Sequence, residues 1–391
     1  MAASDATTTL NVAYLGPEAS FSHQAAIEVF RTSPSSRHVA SLHPLPSFST
    51  IFSAIQSTEA SEQITCYDFA VVPIENSTNG SVVQVFDLLA RCGHYPILYP
   101  DLEVCAEYYL PVHHCLFVSP PSEPPPTSSR PPEQLDGHKE GLIQAIRTLY
   151  THPQVWGQCN RYLSKYFPPN LVERIDVGST SAAAQLVARG SQTHTQNSKP
   201  KGVEGLSASI SPMLAGEKHK LLCLAENIED EPGANTTRFL VVRNRKHQRL
   251  SEELLATLFL HSNPIPDLRY KSLISFTIPH SQPGSLADAL AVFKHYGFNL
   301  TSIDTRPSRM RHWQYVFFVE CEEATSEQRN RAAASVHLAR NDAQDVYEDG
   351  GGRTNLMEML GELGTFTETL RYLGRFVDRL PRDQREGGVK G

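Results

Sequence analysis

The sequence predicts an α/β protein of two lobes with mostly parallel sheets, followed by a smaller ferredoxin-like βαββαβ domain. Three observations carry this. From residue 11 an apolar strand-like run, a turn rich in Ser, Thr, Asn or Gly, and an amphipathic helix alternate. The pattern leaves for a second set of such units and comes back in the apolar run 237–242. The order then resets to strand, helix, strand, strand, helix.

In the first lobe, residues 11–15 form a strand that leads through Gly16-Pro17-Glu18-Ala19-Ser20 into a helix over about 22–30. A second helix follows Phe48-Ser49-Thr50, with Ile51, Phe52 and Ile55 on one face. The strand 69–74 runs into Glu75-Asn76-Ser77-Thr78-Asn79-Gly80, and Val82, Val83, Phe86 and Leu89 mark the next helix. Residues 103–118 are apolar and aromatic without an intervening helix, as expected of a crossing between lobes. The proline-rich segment 119–134 reads as a solvated insertion, because proline removes donors and fixes φ. Helices resume after His152-Pro153 and after Ser179-Thr180-Ser181, the latter ending at Gly190, with a polar loop over 191–202.

Strands at 221–225 and 237–242 return the chain to the first lobe. The expected bounds are 9–108 and 223–245 for lobe 1 and 109–222 for lobe 2. A basic stretch and a helix near 252–260, within 246–268, read as a solvated linker. The last domain, 269–380, has strands at 272–278, 299–304 and 314–320, helices at 285–295 and 326–338, and a closing strand; an acidic, glycine-rich segment at 341–352 interrupts its end.

Composition bounds the function. A chain of 391 residues exceeds one ordinary core. A net charge of -7 argues against nucleic acid. No apolar run approaches the roughly 20 residues that span a bilayer, and the first residues lack a basic and apolar leader, so a cytoplasmic protein is expected. Seven cysteines without CxxC or His/Cys ligand spacing indicate neither a metal site nor a disulfide framework.

Chemistry is expected at the helix starts. The first N–H groups of a helix lack internal partners and carry partial positive charge, so they hold carboxylates. Ser20-Phe21-Ser22, Asn76-Ser77-Thr78 and Ser179-Thr180-Ser181 sit at such starts, although each alone is better explained as an N-cap. Several together, at strand ends, mark a ligand crevice.

Three segments then resemble the signatures of prephenate dehydratases: Tyr14 through Ala26, Val72-Pro73-Ile74-Glu75-Asn76-Ser77-Thr78-Asn79-Gly80-Ser81-Val82, and Asn235-Thr236-Thr237-Arg238-Phe239. His152-Pro153-Gln154 with Gln158-Cys159, and Ser179-Thr180-Ser181-Ala182-Ala183, fit the same family in the same order. The resemblance implies a two-lobed periplasmic-binding-protein-like catalytic domain that converts prephenate to phenylpyruvate, without metal or cofactor. It implies Thr237 as the catalytic residue. Arg238 offers a fork for a carboxylate and Phe239 an apolar wall, Ser20, Phe21, Ser22, Asn76, Ser77, Ser179, Thr180 and Ser181 line the substrate, and Glu75 either meets the substrate or fastens its turn through backbone N–H groups. His23 and His152, each beside a helix start, are read as structural.

The C-terminal domain resembles an ACT domain, a module that binds amino acids. Gly284-Ser285-Leu286 and Asp304-Thr305-Arg306-Pro307 stand where the family has Gly-Ala-Leu and Glu-Ser-Arg-Pro, and Asn299 and Leu300 adjoin them. The resemblance implies L-phenylalanine as effector, feedback inhibition, and a homodimer or homotetramer. Arogenate dehydratase and a non-catalytic amino-acid sensor are the alternative readings.

Overall fold

The computed structural model describes residues 8–31, 38–57, 66–120, 132–193, 205–247, 252–259, 269–279, 281–323 and 351–380. The chain starts with β1 (Thr8–Leu15), α1 (Phe21–Val29), β2 (His38–Leu45), α2 (Phe48–Gln56), β3 (Phe69–Asn76), β4 (Gly80–Ser81), α3 (Val83–Leu89) and β5 (Leu102–Pro111). A second group follows: β6 (Cys115–Val118), α4 (Pro132–Ala145), β7 (Ile146–Thr151), α5 (Pro153–Gln158), α6 (Asn160–Tyr166), β8 (Glu173–Asp176), α7 (Thr180–Thr193), β9 (Leu206–Ser211), α8 (Met213–Lys218) and β10 (Leu222–Ala225). Next come β11 (Thr236–Asn244) and α9 (Glu252–Phe259). The last group is β12 (Tyr270–Thr277), α10 (Ser285–His295), β13 (Phe298–Pro307), β14 (Tyr315–Glu323), α11 (Gly351–Leu363) and β15 (Thr369–Val377).

The described residues form three sheets. The first has the order β2-β1-β3-β11-β5 with β4 on β3, the second β10-β6-β9-β7-β8, and the third β13-β14-β12-β15. β1 runs parallel to β2 and β3, whereas β11 is antiparallel to both β3 and β5, because it enters the first sheet on the chain's way back from the second. The first two sheets are therefore mixed. The third, with strand order 4-1-3-2 by sequence, is the ferredoxin-like arrangement expected of a βαββαβ unit.

Five features differ from the sequence expectation. β2, half exposed along its length, pairs parallel to β1, and its polar edge pattern carried no strand signal. α4 begins at Pro132, inside the proline-rich segment, where a proline in the first turn costs no hydrogen bond. α7 runs through Gly190 to Thr193 instead of stopping there. β10 pairs with β6 in the second sheet, so the return to the first sheet falls after Ala225. Finally, α9 is no solvated linker: Leu254, Leu255 and Phe259 are buried against Phe30 and Phe69 in the core of lobe 1. The helix expected at 326–338 and most of the 341–352 segment lie outside the described residues; among the described residues, α11 is the helix that precedes β15.

The third sheet lies against lobe 1. Leu273, Val316, Phe318, Leu373 and Phe376 share one core cluster with Phe52, Val72, Phe86 and Leu240. Gly374, at φ 141°, lets β15 approach β5 so closely that a Cβ there would stand 2.0 Å from the Val104 carbonyl oxygen. His94, fully buried after α3, bridges the units by hydrogen bonds of 2.7 Å to Thr369 Oγ1 and 2.9 Å to Ser275 Oγ.

Candidate active site

The site is built where β3 ends and β11 begins, against lobe 2. Asn76 closes β3 in a turn fixed by its own side chain: Oδ1 accepts from the Thr78 amide at 3.1 Å, the Asn79 amide at 3.0 Å and Thr78 Oγ1 at 2.7 Å. Two backbone donors on one oxygen settle which end of the amide is which. The Nδ2 group then donates to Asn235 Oδ1 at 2.8 Å and to Thr237 Oγ1 at 2.9 Å. Since Thr237 Oγ1 accepts from Asn76, its own hydrogen is free to donate elsewhere.

This pair is tied to lobe 2 by residues the sequence did not single out as site residues. Gln158 Nε2 donates to Thr78 Oγ1 at 3.3 Å, while Gln158 Oε1 lies 2.8 Å from His114 Nε2. With the Gln158 amide donating to Thr78, its oxygen is the acceptor, so His114 carries its proton on Nε2. Burial pushes the His114 pKa down, against the opposing pull of Gln158 and Glu229. The donors run in one direction from His114 through Gln158, Thr78 and Asn76 to Thr237. Such a chain polarises each successive bond. Its two amides pass no proton, so it orients and polarises rather than conducts. His114 Nδ1 and Asn235 Nδ2 are buried and have no partner among the described residues, which leaves two oriented groups at this junction. Gln158 was visible in the His152-to-Cys159 segment and Asn235 in the 235–239 segment; His114 offered no periodicity or spacing to mark it.

The helix starts close the same junction. Ser20 caps α1, accepting from the His23 amide at 3.3 Å, and Phe21 meets His114 edge-on at 5.9 Å between ring centroids. Ser22 is buried. Ser179 caps α7 through the Ala182 amide at 3.1 Å; Thr180 and Ser181 are buried, and Ser181 Oγ donates to the Glu18 carbonyl at 2.6 Å. Lys218 pairs with Glu18 across the lobes. Ser77 Oγ donates to the Ala234 carbonyl at 2.6 Å and accepts from the Thr236 amide at 2.9 Å, which fastens the β3 turn to the start of β11. His23 is structural: its Nδ1 accepts from the Ala19 amide at 2.9 Å and its ring stacks on Tyr14. His152 caps α5.

Three expectations are displaced. Successive strand residues point to opposite faces, so Arg238 faces away from Thr237, toward the third sheet. There its Nε donates to Glu107 at 2.8 Å and its guanidinium pairs with Glu320. Burial opposes its charge, and Glu107 and Glu320 more than reverse this, raising its pKa. The carboxylates it holds are the protein's own. Phe239 is 1% exposed and packs with Tyr14, Phe69 and Val241, so it is a core side chain rather than a wall of the site. Glu75, opposite Arg238 in the ladder, is exposed and lines a cavity of about 590 Å³ that also touches Arg238, Lys271, Asn299 and Glu320.

Among the expected effector residues, Gly284 takes a left-handed φ of 88° as N-cap of α10, Ser285 is buried, Leu286 partly buried, and Asn299 and Leu300 are exposed on β13. Asp304 and Arg306 instead reach lobe 1: Asp304 accepts from Ser81 Oγ at 3.0 Å, and Arg306 forks onto Asp87 at 2.6 and 3.3 Å. Thr305 and Pro307 are exposed. Among the described residues no group of His, Cys, Asp and Glu is placed to hold a metal ion. No helix among them is long and apolar enough to cross a membrane.

The prephenate dehydratase family model matches residues 12–247. A probable prephenate dehydratase of Saccharomyces cerevisiae is 33% identical over 333 residues, covering 81% of this chain and 88% of that protein. The prephenate dehydratase of Lactococcus lactis is 29% identical over 313 residues, covering 80% and 87%. Among solved structures, prephenate dehydratase from Arthrobacter aurescens in complex with L-Phe superposes with a TM-score of 0.60 at 21% identity, covering 97% of this chain and 92% of that one. The Staphylococcus aureus enzyme gives 0.57 at 21%, covering 94% and 100%. The two-lobed α/β fold with a further C-terminal sheet is shared with these structures. From the match along lobes and return strand together, the chain belongs to the prephenate dehydratase family.

Proposed function

We propose that the interlobe site converts prephenate to phenylpyruvate, with Thr237 as the hydrogen-bond donor to the departing hydroxyl. The observation that carries this is the Asn76 amide, which occupies Thr237 Oγ1 as an acceptor and frees its hydrogen. Prephenate is a dianion on a cyclohexadienol. Loss of one carboxylate as carbon dioxide and of the ring hydroxyl as water consumes one proton and leaves the phenylpyruvate anion. Aromatisation supplies the driving force, so the protein's task is orientation and stabilisation of a leaving oxyanion, for which a positioned donor suffices. A threonine hydroxyl is a weak acid; the polarised chain from His114 strengthens it as a donor, and the consumed proton is drawn from solvent.

The substrate's carboxylates fall to the capped helix starts at Ser20-Phe21-Ser22 and Ser179-Thr180-Ser181, which face each other across the lobes. Arg238 and Phe239 support the strand that presents Thr237. Residues 9–245 form the catalytic domain, 246–268 join it to the rest, and 269–380 form an ACT domain that senses L-phenylalanine and lowers turnover. Gly284, Ser285, Leu286, Asn299 and Leu300 are the residues assigned to the effector. The long exposed strand β13, with Leu300 and Ile303 at its surface, suits pairing with a second copy, in a homodimer or homotetramer. All seven cysteines are free thiols, as suits the reducing cytoplasm.

One assay tests substrate, reaction and regulation: phenylpyruvate formation from prephenate, with and without L-phenylalanine. Turnover that falls as L-phenylalanine rises is expected. A folded protein that forms no phenylpyruvate defeats the proposal.

A further inference from the structure

The two partners in the Asn76–Thr237 hydrogen bond lie on different segments, and each is anchored to the third sheet by its own contact. Arg238, the residue after Thr237, reaches Glu320 on β14. Ser81, at the far side of the β3–β4 turn that Asn76 organises, donates to both oxygens of Asp304 on β13, at 3.0 and 3.2 Å. β13 and β14 are neighbours, with Glu320 opposite Ser302 and Asp304 opposite Phe318. One rigid pair of strands therefore grips both halves of the candidate catalytic hydrogen bond from behind.

The grip on β11 is buried and dense. Arg238, Glu107, Lys271, Glu320 and Asp378 are each less than a tenth exposed. Lys271 Nζ lies 3.4 Å from Glu107, 3.5 Å from Glu320 and 3.2 Å from Asp378. Glu107 is the partner that lobe 1 itself supplies to Arg238; Glu320, Lys271 and Asp378 all come from the C-terminal unit. The grip on the β3–β4 turn is shallower and is reinforced one helical turn on, where Arg306 forks onto Asp87 of α3.

We infer that Glu320 and Asp304 are positioning residues for the reaction: the C-terminal sheet completes the active site by setting the distance between the Asn76 turn and Thr237. The inference rests on the proposed dehydratase function. The catalytic lobes alone hold the parts of the site, and the third sheet holds them in register. Neither carboxylate lies at the capped helix starts to which the substrate's carboxylates are assigned, so their loss acts on the chemical step and leaves binding alone. Any change in the strand pair β13–β14, including one brought about by an effector, reaches Thr237 and Asn76 through these same two contacts.

The test compares full-length wild type with Glu320→Gln, Asp304→Ala, Ser81→Ala and the Ser81→Ala/Asp304→Ala pair, reading kcat and KM on prephenate beside thermal unfolding. Glu320→Gln should lower kcat about tenfold with KM within about twofold, short of the roughly hundredfold that a 1 Å misplacement brings. Asp304→Ala and Ser81→Ala should each lower kcat by a similar smaller factor, and the pair should lose no more than either single change, since both break one contact. If Glu320→Gln does not fold, the Ser81 and Asp304 cycle decides alone. Folded variants with wild-type kcat, or with KM raised at unchanged kcat, overturn the inference while leaving the dehydratase function standing. Wild-type protein without turnover overturns both.

Discussion

The Asn76 amide donates to Thr237 Oγ1 at 2.9 Å, and that contact gives the threonine hydroxyl its direction. Replacing Thr237 by alanine should therefore cost roughly a hundredfold in kcat, the scale of one lost oxyanion donor, with little change in unfolding midpoint. Thr237→Ser should keep much of the activity. Asn76→Asp is the sharper test: a carboxylate cannot donate to Oγ1, so the hydroxyl turns to it and away from substrate. Steady-state kinetics should show a loss at least as large as in Thr237→Ala.

Gln158 reaches Thr78 from lobe 2, with its Nε2 donating to Thr78 Oγ1. Gln158→Ala should lower kcat/KM by about tenfold, the scale of a lost polar contact near 1.4 kcal/mol. Gln158→Glu should do worse, because it replaces the donor to Thr78 by a negative charge beside a dianionic substrate. Single-turnover kinetics separates the two variants.

Much of this was legible from the chain alone. Ser20 and Ser179 are the N-caps their sequence positions suggested, and Asn11 to Leu15 and Phe69 to Ile74 are strands because continuous apolar runs of that length bury on both faces of a sheet. The direction of Arg238 was not legible. Its partners Glu107 and Glu320 lie 131 and 82 residues away, and alternation along a strand tells which residues share a face but not what the face meets. The Gln158–Thr78 contact spans 80 residues and two lobes, beyond any local signal. α11 starts with Gly351-Gly352, residues that weaken a helix, and forms because Leu356, Met359 and Leu363 bury against the third sheet.

Glu107 is the lobe 1 member of the buried charge cluster. Glu107→Ala leaves Arg238 and Lys271 with fewer buried partners and should destabilise the protein by about 3–5 kcal/mol. Urea unfolding measures it, and Glu107→Gln, which keeps an acceptor, should cost less.

His94 gives a pH dependence with a defined sign. Burial, with Arg91 and Arg371 nearby, lowers its pKa to about 4, so the folded protein holds it neutral. In the unfolded chain it takes up a proton as pH falls through the ordinary histidine value near 6.5. Its contribution to stability is complete above that value and is lost as pH falls toward 4. Between pH 7 and pH 5 the loss should be about 2 kcal/mol. Comparing urea midpoints of wild type and His94→Gln at both pH values isolates this share from the other histidines.

The seam between lobe 1 and the third sheet joins an apolar cluster to the buried charges of Arg238, Glu107, Lys271, Glu320 and Asp378. These two kinds of contact respond differently to heat. Stripping water from charges becomes less costly as temperature rises, while the gain from apolar burial levels off. The charged part of the joint thus tightens with warmth relative to the cores on either side, and in the cold it is the first place where the coupling between the C-terminal unit and the catalytic lobes slackens.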